Sequence, residues 1–381
     1  MALMALSIDM MLPAFDLMRR TYGLAADSTT IGQTITTFFA GMAIAQLMWG
    51  PLSDRFGRRP VFYAGLVVYI VGAIASALAP TIATLLIART VWGVGAAGPR
   101  VIVTALIRDT SVGDAMAEAM SQVMAVFILV PIFAPSLGAL VISFAPWQTV
   151  FWLCGGAAMV MGIWGSRLPE TLDPAHQRPI RPRELSDATK RIIATPLTFR
   201  TTVAQVAIQA ALTLYLTSSE RIVSQVFDRG SLFPYVFGSI ATVLALGAIA
   251  NGRIVKVLGL ARTIRLQATA MVVTGTLLLT LILLDPTPGF YAFHIVFAAA
   301  TLALVIAFPN LGAAGMIPVG DMAGTASSVI GAARLGGGAA LAAVASLVMG
   351  PDLNNFVFFA IGFGAVAAAT SLLTPLDRRT D

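Results

Sequence analysis

Long apolar runs alternate with short polar segments along nearly the whole chain. Each run is close to the ~20 residues that a helix needs to cross the hydrocarbon core of a bilayer. None shows the period-two alternation of a barrel strand, so helices are the spanning elements that remain. The pattern predicts an all-α membrane protein with twelve transmembrane helices, at about 1–18, 30–50, 60–80, 82–106, 117–144, 147–166, 197–218, 233–252, 264–284, 289–309, 324–348 and 354–374.

A polar stretch rich in proline and charge divides the twelve runs six and six. The sequence therefore predicts two six-helix bundles joined by a cytoplasmic linker, at 1–167, 168–195 and 196–381. Within the linker, residues 183–194 are expected to form a short helix at the membrane interface.

The two halves also share a glycine spacing. Gly50 and Gly57 recur at the same separation as Gly252 and Gly259, which indicates two pseudo-symmetric bundles related by duplication.

The composition supports a membrane protein and argues against other classes. The 381 residues are 57% hydrophobic and 11% charged, whereas a soluble domain carries about 25% charged residues. The net charge of +6 does not indicate a nucleic-acid partner, because the basic residues lie mainly in loops between apolar runs. Seventeen of these basic residues fall in loops on one side of the membrane and four on the other, so the positive-inside rule places both termini in the cytoplasm, as in an inner-membrane protein.

Metal and cofactor sites find little support in the sequence. One cysteine, Cys154, and two histidines leave no internal disulfide and no Cys/His zinc site. Neither lysine is followed by Ser or Thr, so no P-loop can be written. Gly93, Gly95 and Gly98 match a dinucleotide fingerprint, but inside a predicted span close helix packing explains them better. We expect no metal, no cofactor and no enzymatic activity, with an ion gradient as the source of energy.

The charged turn at 50–60 is the most specific motif. It reads G-P-L-S-D-R-F-G-R-R-P between two apolar runs, and its arginines alone would anchor the topology. The order of residues resembles the G-x-L-x-D-R-x-G-R-[KR] signature between helices 2 and 3 of the major facilitator superfamily. This resemblance implies two six-helix bundles that work by alternating access. It also implies a cytoplasmic gate at the turn, formed by Gly50, Asp54, Arg55, Gly57, Arg58 and Arg59.

Asp9 is the one acidic residue that the sequence places deep within a predicted span. An intramembrane carboxyl group is costly and is a candidate functional group, here for reversible protonation. A structural pairing with an intramembrane arginine is the alternative. The stretch from Ser7 to Pro13 resembles the first-helix D-x-x-x-P pattern of drug/proton antiporters, which implies that Asp9 takes part in proton and substrate binding.

Two arginines lie in the fourth predicted span. Arg89 and Arg100 are separated by about three helical turns and share one face, which must look into the bundle or a wet cavity. Arg89 with Gly93 and Gly95 resembles the R-x-x-x-G-x-G motif, which implies a link to proton coupling. Arg100 has no counterpart in that pattern. We expect Asp9 to pair with one of the two arginines, with Arg89 preferred.

Further candidates lie in the fifth span and in the second half. Pro131, Pro135 and Gly138 resemble the antiporter G-P-x-x-G-G motif, with alanine at two of the glycine positions, and imply a hinge. Polar residues in second-half spans line the substrate cavity or form hydrogen bonds between helices: Gln205, Gln209, His294 and Arg334.

The chain is most similar to the twelve-helix drug/proton antiporter subgroup that includes bicyclomycin and chloramphenicol exporters. The resemblance implies a proton-coupled exporter of small amphipathic drugs that functions as a monomer. A proton-coupled importer of a small nutrient has the same architecture and stays an alternative. A membrane scaffold or sensor without transport activity is a third.

Overall fold

The computed structural model describes residues 1–111, 113–172, 182–350 and 352–374. No strand occurs among these residues, so the predicted all-α class is confirmed. The chain divides into two compact units, Met1–Pro182 and Arg183–Asp381.

The first unit begins with a broken helix and continues with long ones. Its helices are α1 (Ala2–Asp9), α2 (Phe15–Thr21), α3 (Gln33–Phe56), α4 (Arg58–Ala77), α5 (Ile82–Thr110), α6 (Gly113–Ile142) and α7 (Thr149–Gly165). The second unit contains α8 (Pro182–Ala194), α9 (Pro196–Arg221), α10 (Phe233–Leu258), α11 (Leu260–Leu284), α12 (Phe290–Met316), α13 (Ala323–Met349) and α14 (Leu353–Leu372).

Eight helical segments in the described part of the chain are long and apolar enough to cross a membrane. One of them, Phe290–Val348, covers both α12 and α13, so it accounts for two spans. The short pair α1 and α2, the 17-residue α7 and the polar α9 do not meet the same criteria. These elements supply three further spans when α1 and α2 are counted as one. The described helices then correspond to the twelve predicted spans, with α8 as an additional helix.

The first predicted span is not one helix. A 3-10 turn, Leu12–Ala14, separates α1 from α2 and contains Pro13. Proline has no N–H to donate to the preceding turn, which explains a break at this position. Asp9 therefore lies at the last residue of α1, next to the break.

The predicted interfacial segment does form a helix, α8, which packs on the second unit. Ile192 belongs to a buried cluster with Val319 and Ile330, and Arg191 forms an ion pair with Asp321 at 2.5 Å. Part of the predicted linker, residues 173–181, lies outside the described residues.

Glycines let α3, α4 and α5 approach at backbone distance. A Cβ atom on Gly93 would lie 2.0 Å from the carbonyl oxygen of Phe38, and one on Gly95 would lie 2.1 Å from the amide nitrogen of Tyr69. Gly98 likewise faces Gly65. The interpretation of these glycines as packing residues is confirmed.

A cluster of side-chain amides joins α10, α11 and α12 inside the second unit. Asn251, Gln267 and Asn310 are each buried. Gln267 donates to Asn251 at 2.9 Å, while Asn310 donates to Asn251 at 2.9 Å and to Gln267 at 3.1 Å. The nitrogen of Gln267 also reaches the carbonyl oxygen of Ile306 at 3.1 Å. The cluster ties three helices together with neutral groups that satisfy one another.

Replacing Asn310 with alanine should destabilise the second unit. The change removes the acceptor of the Asn251 amide nitrogen and the donor to the Gln267 amide oxygen, and leaving buried polar groups unpaired in this way costs about 1–3 kcal/mol. Thermal unfolding in detergent measures the loss. Thr269→Val is the matched control, because the exposed Thr269 hydroxyl donates only to the carbonyl of Arg265 on its own helix. Equal melting temperatures for the Asn310 variant and the control would contradict a stabilising role for the cluster.

Candidate functional site

The turn between α3 and α4 requires glycine at position 57. Gly57 is the single residue between the two helices and has φ +100, a value that side chains disfavour. A Cβ atom there would also lie 2.6 Å from Oε2 of Glu170. The backbone conformation therefore favours glycine, and a side chain here would also displace the Glu170 carboxylate from its position.

Arg58 is the centre of the charged turn. Its side chain is buried, and its Nη1 donates to Asp54 and, at 2.7 Å, to the hydroxyl of Ser53. Its Nε donates to Oδ2 of Asp109 at 2.9 Å. One guanidinium group thus binds two carboxylates and links α3, α4 and the end of α5.

Glu170 closes the turn from the segment after α7. Its carboxylate accepts backbone N–H groups at the start of α4, from Arg58 at 2.8 Å and Arg59 at 3.0 Å. These are donors that a helix N-terminus leaves without an intrahelical partner. It also accepts the N–H groups of Thr171 and Leu172. Partial burial raises the pKa of Glu170, but the four backbone donors outweigh it and hold that pKa below its ordinary value.

The other residues of the predicted gate lie around this centre. The Arg55 guanidinium rests over the ring of Phe56, 5.1 Å from its centroid, and Arg59 donates to the carbonyl of Ser166 at 3.2 Å. Gly50 lies inside α3 and its carbonyl accepts the Ser53 hydroxyl.

Arg89 is fully buried, and no carboxylate in the described part of the chain binds it. Its Nε donates to the carbonyl of Thr34 on α3 at 3.2 Å, and its Nη1 donates to the carbonyl of Ser7 on α1 at 3.1 Å. The guanidinium carbon lies 4.6 Å from the ring centroid of Phe38 and 4.8 Å from that of Trp92. Carbonyl dipoles and ring faces therefore stabilise this cation in place of a counter-ion.

The expected ion pair of Asp9 is absent. Asp9 is 5% exposed and forms no hydrogen bond or ion pair with the residues that the structure describes. The preferred partner, Arg89, donates to backbone carbonyls through Nε and Nη1, and its Nη2 has no hydrogen-bond partner among the described residues. Within the described chain Arg100 does not pair with Asp9 either. The prediction of a pair is wrong for this structure, whereas the coupling roles of the three residues stay predictions.

Gly138 brings α6 against the residue that follows Asp9. A Cβ atom on Gly138 would lie 2.0 Å from the carbonyl oxygen of Met10, so only glycine permits this contact. Helix α6 runs through Pro131 and Pro135 without interruption. The hinge predicted for these residues stays a prediction, but its glycine lies beside the buried acid.

Comparison with known proteins identifies the family. The family model described as Major Facilitator Superfamily matches residues 1–343. The chain belongs to this superfamily.

Relatives within the superfamily are named as resistance proteins. A bicyclomycin resistance protein homolog of Haemophilus influenzae is 27% identical over 359 residues, which cover 90% of this chain and 86% of that protein. The multidrug resistance protein MdtL of Klebsiella pneumoniae is 29% identical over 226 residues, which cover 59% of this chain and 57% of that protein.

Solved structures of transporters share the fold at low sequence identity. A D-xylose-proton symporter superposes with a TM-score of 0.74 at 13% identity, covering 97% of this chain and 94% of that one. The human organic anion transporter MFSD10 superposes with a TM-score of 0.67 at 18% identity, covering 98% of this chain and 96% of that one. At such identities the likeness shows the major facilitator fold alone.

In the second unit of this major facilitator protein, each predicted cavity residue has contacts with its own surroundings. Gln205 donates to the carbonyl of Thr201 on its own helix, and Gln209 donates to Thr213, also on α9. His294 is half-buried among phenylalanine rings, with its Nδ1 2.7 Å from the carbonyl oxygen of Phe290. The guanidinium of Arg334 lies over the ring of Phe308, 4.5 Å from its centroid. Their part in a substrate cavity stays a prediction.

Sequence reasoning missed three acidic residues. Asp109 and Glu170 bind the gate turn, and a signal existed, because both lie near predicted span ends on the same side as the arginines. Glu220 was also missed: it is 3% exposed near the end of α9, so Asp9 is not the only acid buried in a span. The adjacent Arg221 is buried as well and donates to the carbonyl of Gly350 at 3.0 Å.

Replacing Glu170 with glutamine should lower the melting temperature by an amount that depends on pH. Because the folded-state pKa of Glu170 is lowered, its stabilising contribution is present above the ordinary pKa of about 4.3 and is lost as the pH falls through the lower folded value. The variant should melt about 2–4 °C below wild type at pH 7. That difference should shrink below about pH 4.

Glu118→Gln is the control for this pH series, since Glu118 is an exposed residue whose carboxylate accepts only a long 3.5 Å bond from Gln122. A melting difference for the Glu170 variant that stays constant from pH 7 to pH 3 would contradict the electrostatic explanation.

Proposed function

We propose that this chain exports small amphipathic, drug-like molecules across the inner membrane in exchange for protons. The observation that carries the proposal is the carboxyl group of Asp9, which is buried in the first unit and has no cation bound to it among the described residues. An ionised carboxylate in such a place is costly, so gaining or losing a proton there changes the energy of the surrounding structure. The names of the curated relatives support a drug-like substrate.

Two contacts beside Asp9 provide a route from the proton to the helices. Arg89 of α5 binds the carbonyl of Ser7, two residues before the acid. Gly138 of α6 packs against the carbonyl of Met10, the residue after it. If α1 shifts when Asp9 changes charge, its contacts with α5 and α6 therefore change as well. A bound substrate that needs the same space or the same charge state competes with the proton.

The charged turn acts as the gate on the cytoplasmic side. Arg58 connects three helices through Asp54 and Asp109, and Glu170 adds the start of α4 to the same cluster. Ion pairs at a partly hydrated helix end are strong enough to hold one conformation and weak enough to exchange partners during a cycle. The proposal includes cytoplasmic termini, a monomer, no cofactor and no enzymatic activity, with the proton gradient as the energy source.

Replacing Asp9 with asparagine should abolish proton-driven exchange. Asparagine keeps the shape of the side chain but cannot carry the proton, so flux driven by an imposed pH difference should fall at least about tenfold. The measurement is flux of a panel of amphipathic drugs in proteoliposomes. Asp16→Asn is the matched control, because Asp16 is a half-exposed residue that pairs closely with the exposed Arg20, at 2.7 Å, and only at 3.9 Å with Arg19. Wild-type flux in the Asp9 variant would refute the proton site.

The same vesicles separate export from import. An exporter moves drug against the proton flow, whereas the importer alternative moves a nutrient along with the protons. Accumulation of a nutrient with inward proton movement, and no drug flux, would replace the proposed direction. An absence of any substrate-dependent flux would favour the scaffold alternative.

Replacing Asp54 with asparagine should slow the transport cycle without weakening substrate binding. The variant removes one of two carboxylates on Arg58 while Asp109 remains, so the gate loses part of its hold. Maximal flux should fall by about three- to tenfold with an unchanged KM. Asp27→Asn, in an exposed loop, is the control. A raised KM with unchanged maximal flux would place Asp54 in substrate binding instead.

A further inference from the structure

An apolar cavity lies within the second unit, apart from the coupling and gating residues. It has a volume of about 150 Å³ and is enclosed by α9, α11, α12 and α14. Its floor is formed by buried side chains, among them Met271, Phe297 and Leu304. Its rim includes Val272 on α11 and Ala365 on α14, both exposed, so the cavity opens between these two helices.

The threonines in the wall offer no hydrogen-bond donor to a ligand. The hydroxyl of Thr274 donates to the carbonyl of Ala270 at 2.7 Å. Those of Thr276 and Thr301 donate at 2.8 Å to carbonyls four residues back on their own helices. An apolar cavity of about 150 Å³ in another protein stays free of water and takes up benzene. The cavity therefore has room for a hydrocarbon segment of about six carbon atoms.

The cavity lies at the depth of the lipid tails. On the 20-residue α14 the lining begins at Ala360 and ends at Ala365, about 10 to 18 Å along a helix about 30 Å long. The rim continues into exposed apolar side chains of α11, including Val273 and Leu277. Exposed apolar residues at mid-depth on a spanning helix face hydrocarbon.

Two glycines keep the space open. A Cβ atom on Gly275 would lie 3.8 Å from Cγ2 of Ile361, and one on Gly364 would lie 3.9 Å from Cδ2 of Leu304, which are ordinary contacts. Side chains larger than a methyl group therefore have space to enter from either wall. Atoms that line an empty void lose dispersion contacts, and a flexible chain from the surrounding bilayer restores them.

We propose that this cavity binds an acyl-chain segment of a bilayer phospholipid. The hydrocarbon chain enters between α11 and α14 and packs against the buried floor. The site does not include Asp9 or the gate turn, so it stands or falls separately from the proposed transport cycle.

The test is photolabelling with a phospholipid that carries a diazirine at the middle of one acyl chain. The full-length protein is reconstituted with this lipid, irradiated and digested, and the labelled residues are located by mass spectrometry. Adducts are expected at lining residues of α11 and α14. Gly364→Leu fills the cavity and should lower this labelling by about tenfold. Gly362→Leu, two residues away on the exposed face of α14 with nothing within 4 Å, should leave it unchanged.

Gly275→Leu repeats the test from the opposite wall if the first variant does not fold. Equal labelling of the lining residues in wild type and in the folded filling variant would overturn the proposal. Adducts spread evenly over the exposed face of α11, with no preference for the cavity, would overturn it as well, because they indicate ordinary contact with the bilayer.

Discussion

A guanidinium group enclosed by membrane-spanning helices must find its partners inside the protein, and Arg89 shows how this chain meets that requirement. Backbone carbonyls from α1 and α3 accept its hydrogen bonds, and aromatic rings face its charge. The position of α1 therefore depends on α5. Asp9 lies two residues after Ser7, so its position follows from that of α1, and the buried acid forms no salt bridge with any described residue.

Such an arrangement needs helices that lie unusually close. The carbonyl of Thr34 comes within reach of Arg89 because α3 and α5 touch at backbone level, with Gly41 against Thr90 and Gly93 against Phe38. A methyl group at either glycine would meet a carbonyl oxygen at 2.0 Å. The glycines thus allow the close helix approach that the buried arginine needs to reach its carbonyl acceptor. Gly138 extends it to α6, so the acid is bordered by tight backbone contacts on both sides.

The helical architecture and the special glycines could be predicted from sequence, whereas the partners of the charged groups could not. The apolar runs predict the spans directly, and the place of Gly57 in a short charged turn indicates that this glycine has a special role. Arg89 was expected to bind Asp9 because carboxylates are the visible partners of an arginine in a sequence. Every residue carries a carbonyl, so sequence does not reveal that Ser7 and Thr34 would supply the acceptors instead. Glu170 was hidden for a related reason, since it binds backbone N–H groups.

The two units share the backbone turn between consecutive helices but differ in the chemistry around it. Gly259 joins α10 to α11 with φ +77, as Gly57 joins α3 to α4 with φ +100. In the first unit, the residues eight positions before and after Gly57 are Trp49 and Gly65. The equivalent residues around Gly259 in the second unit are Asn251 and Gln267, which belong to the amide cluster. The side-chain amides of the second unit are neutral groups that satisfy one another, whereas the cluster around Arg58 is built from carboxyl groups and a guanidinium. Within the described residues, the turn with a charged network is therefore the one between α3 and α4, in the unit that also contains Asp9. This supports the proposal that both proton coupling and cytoplasmic gating belong to the first unit.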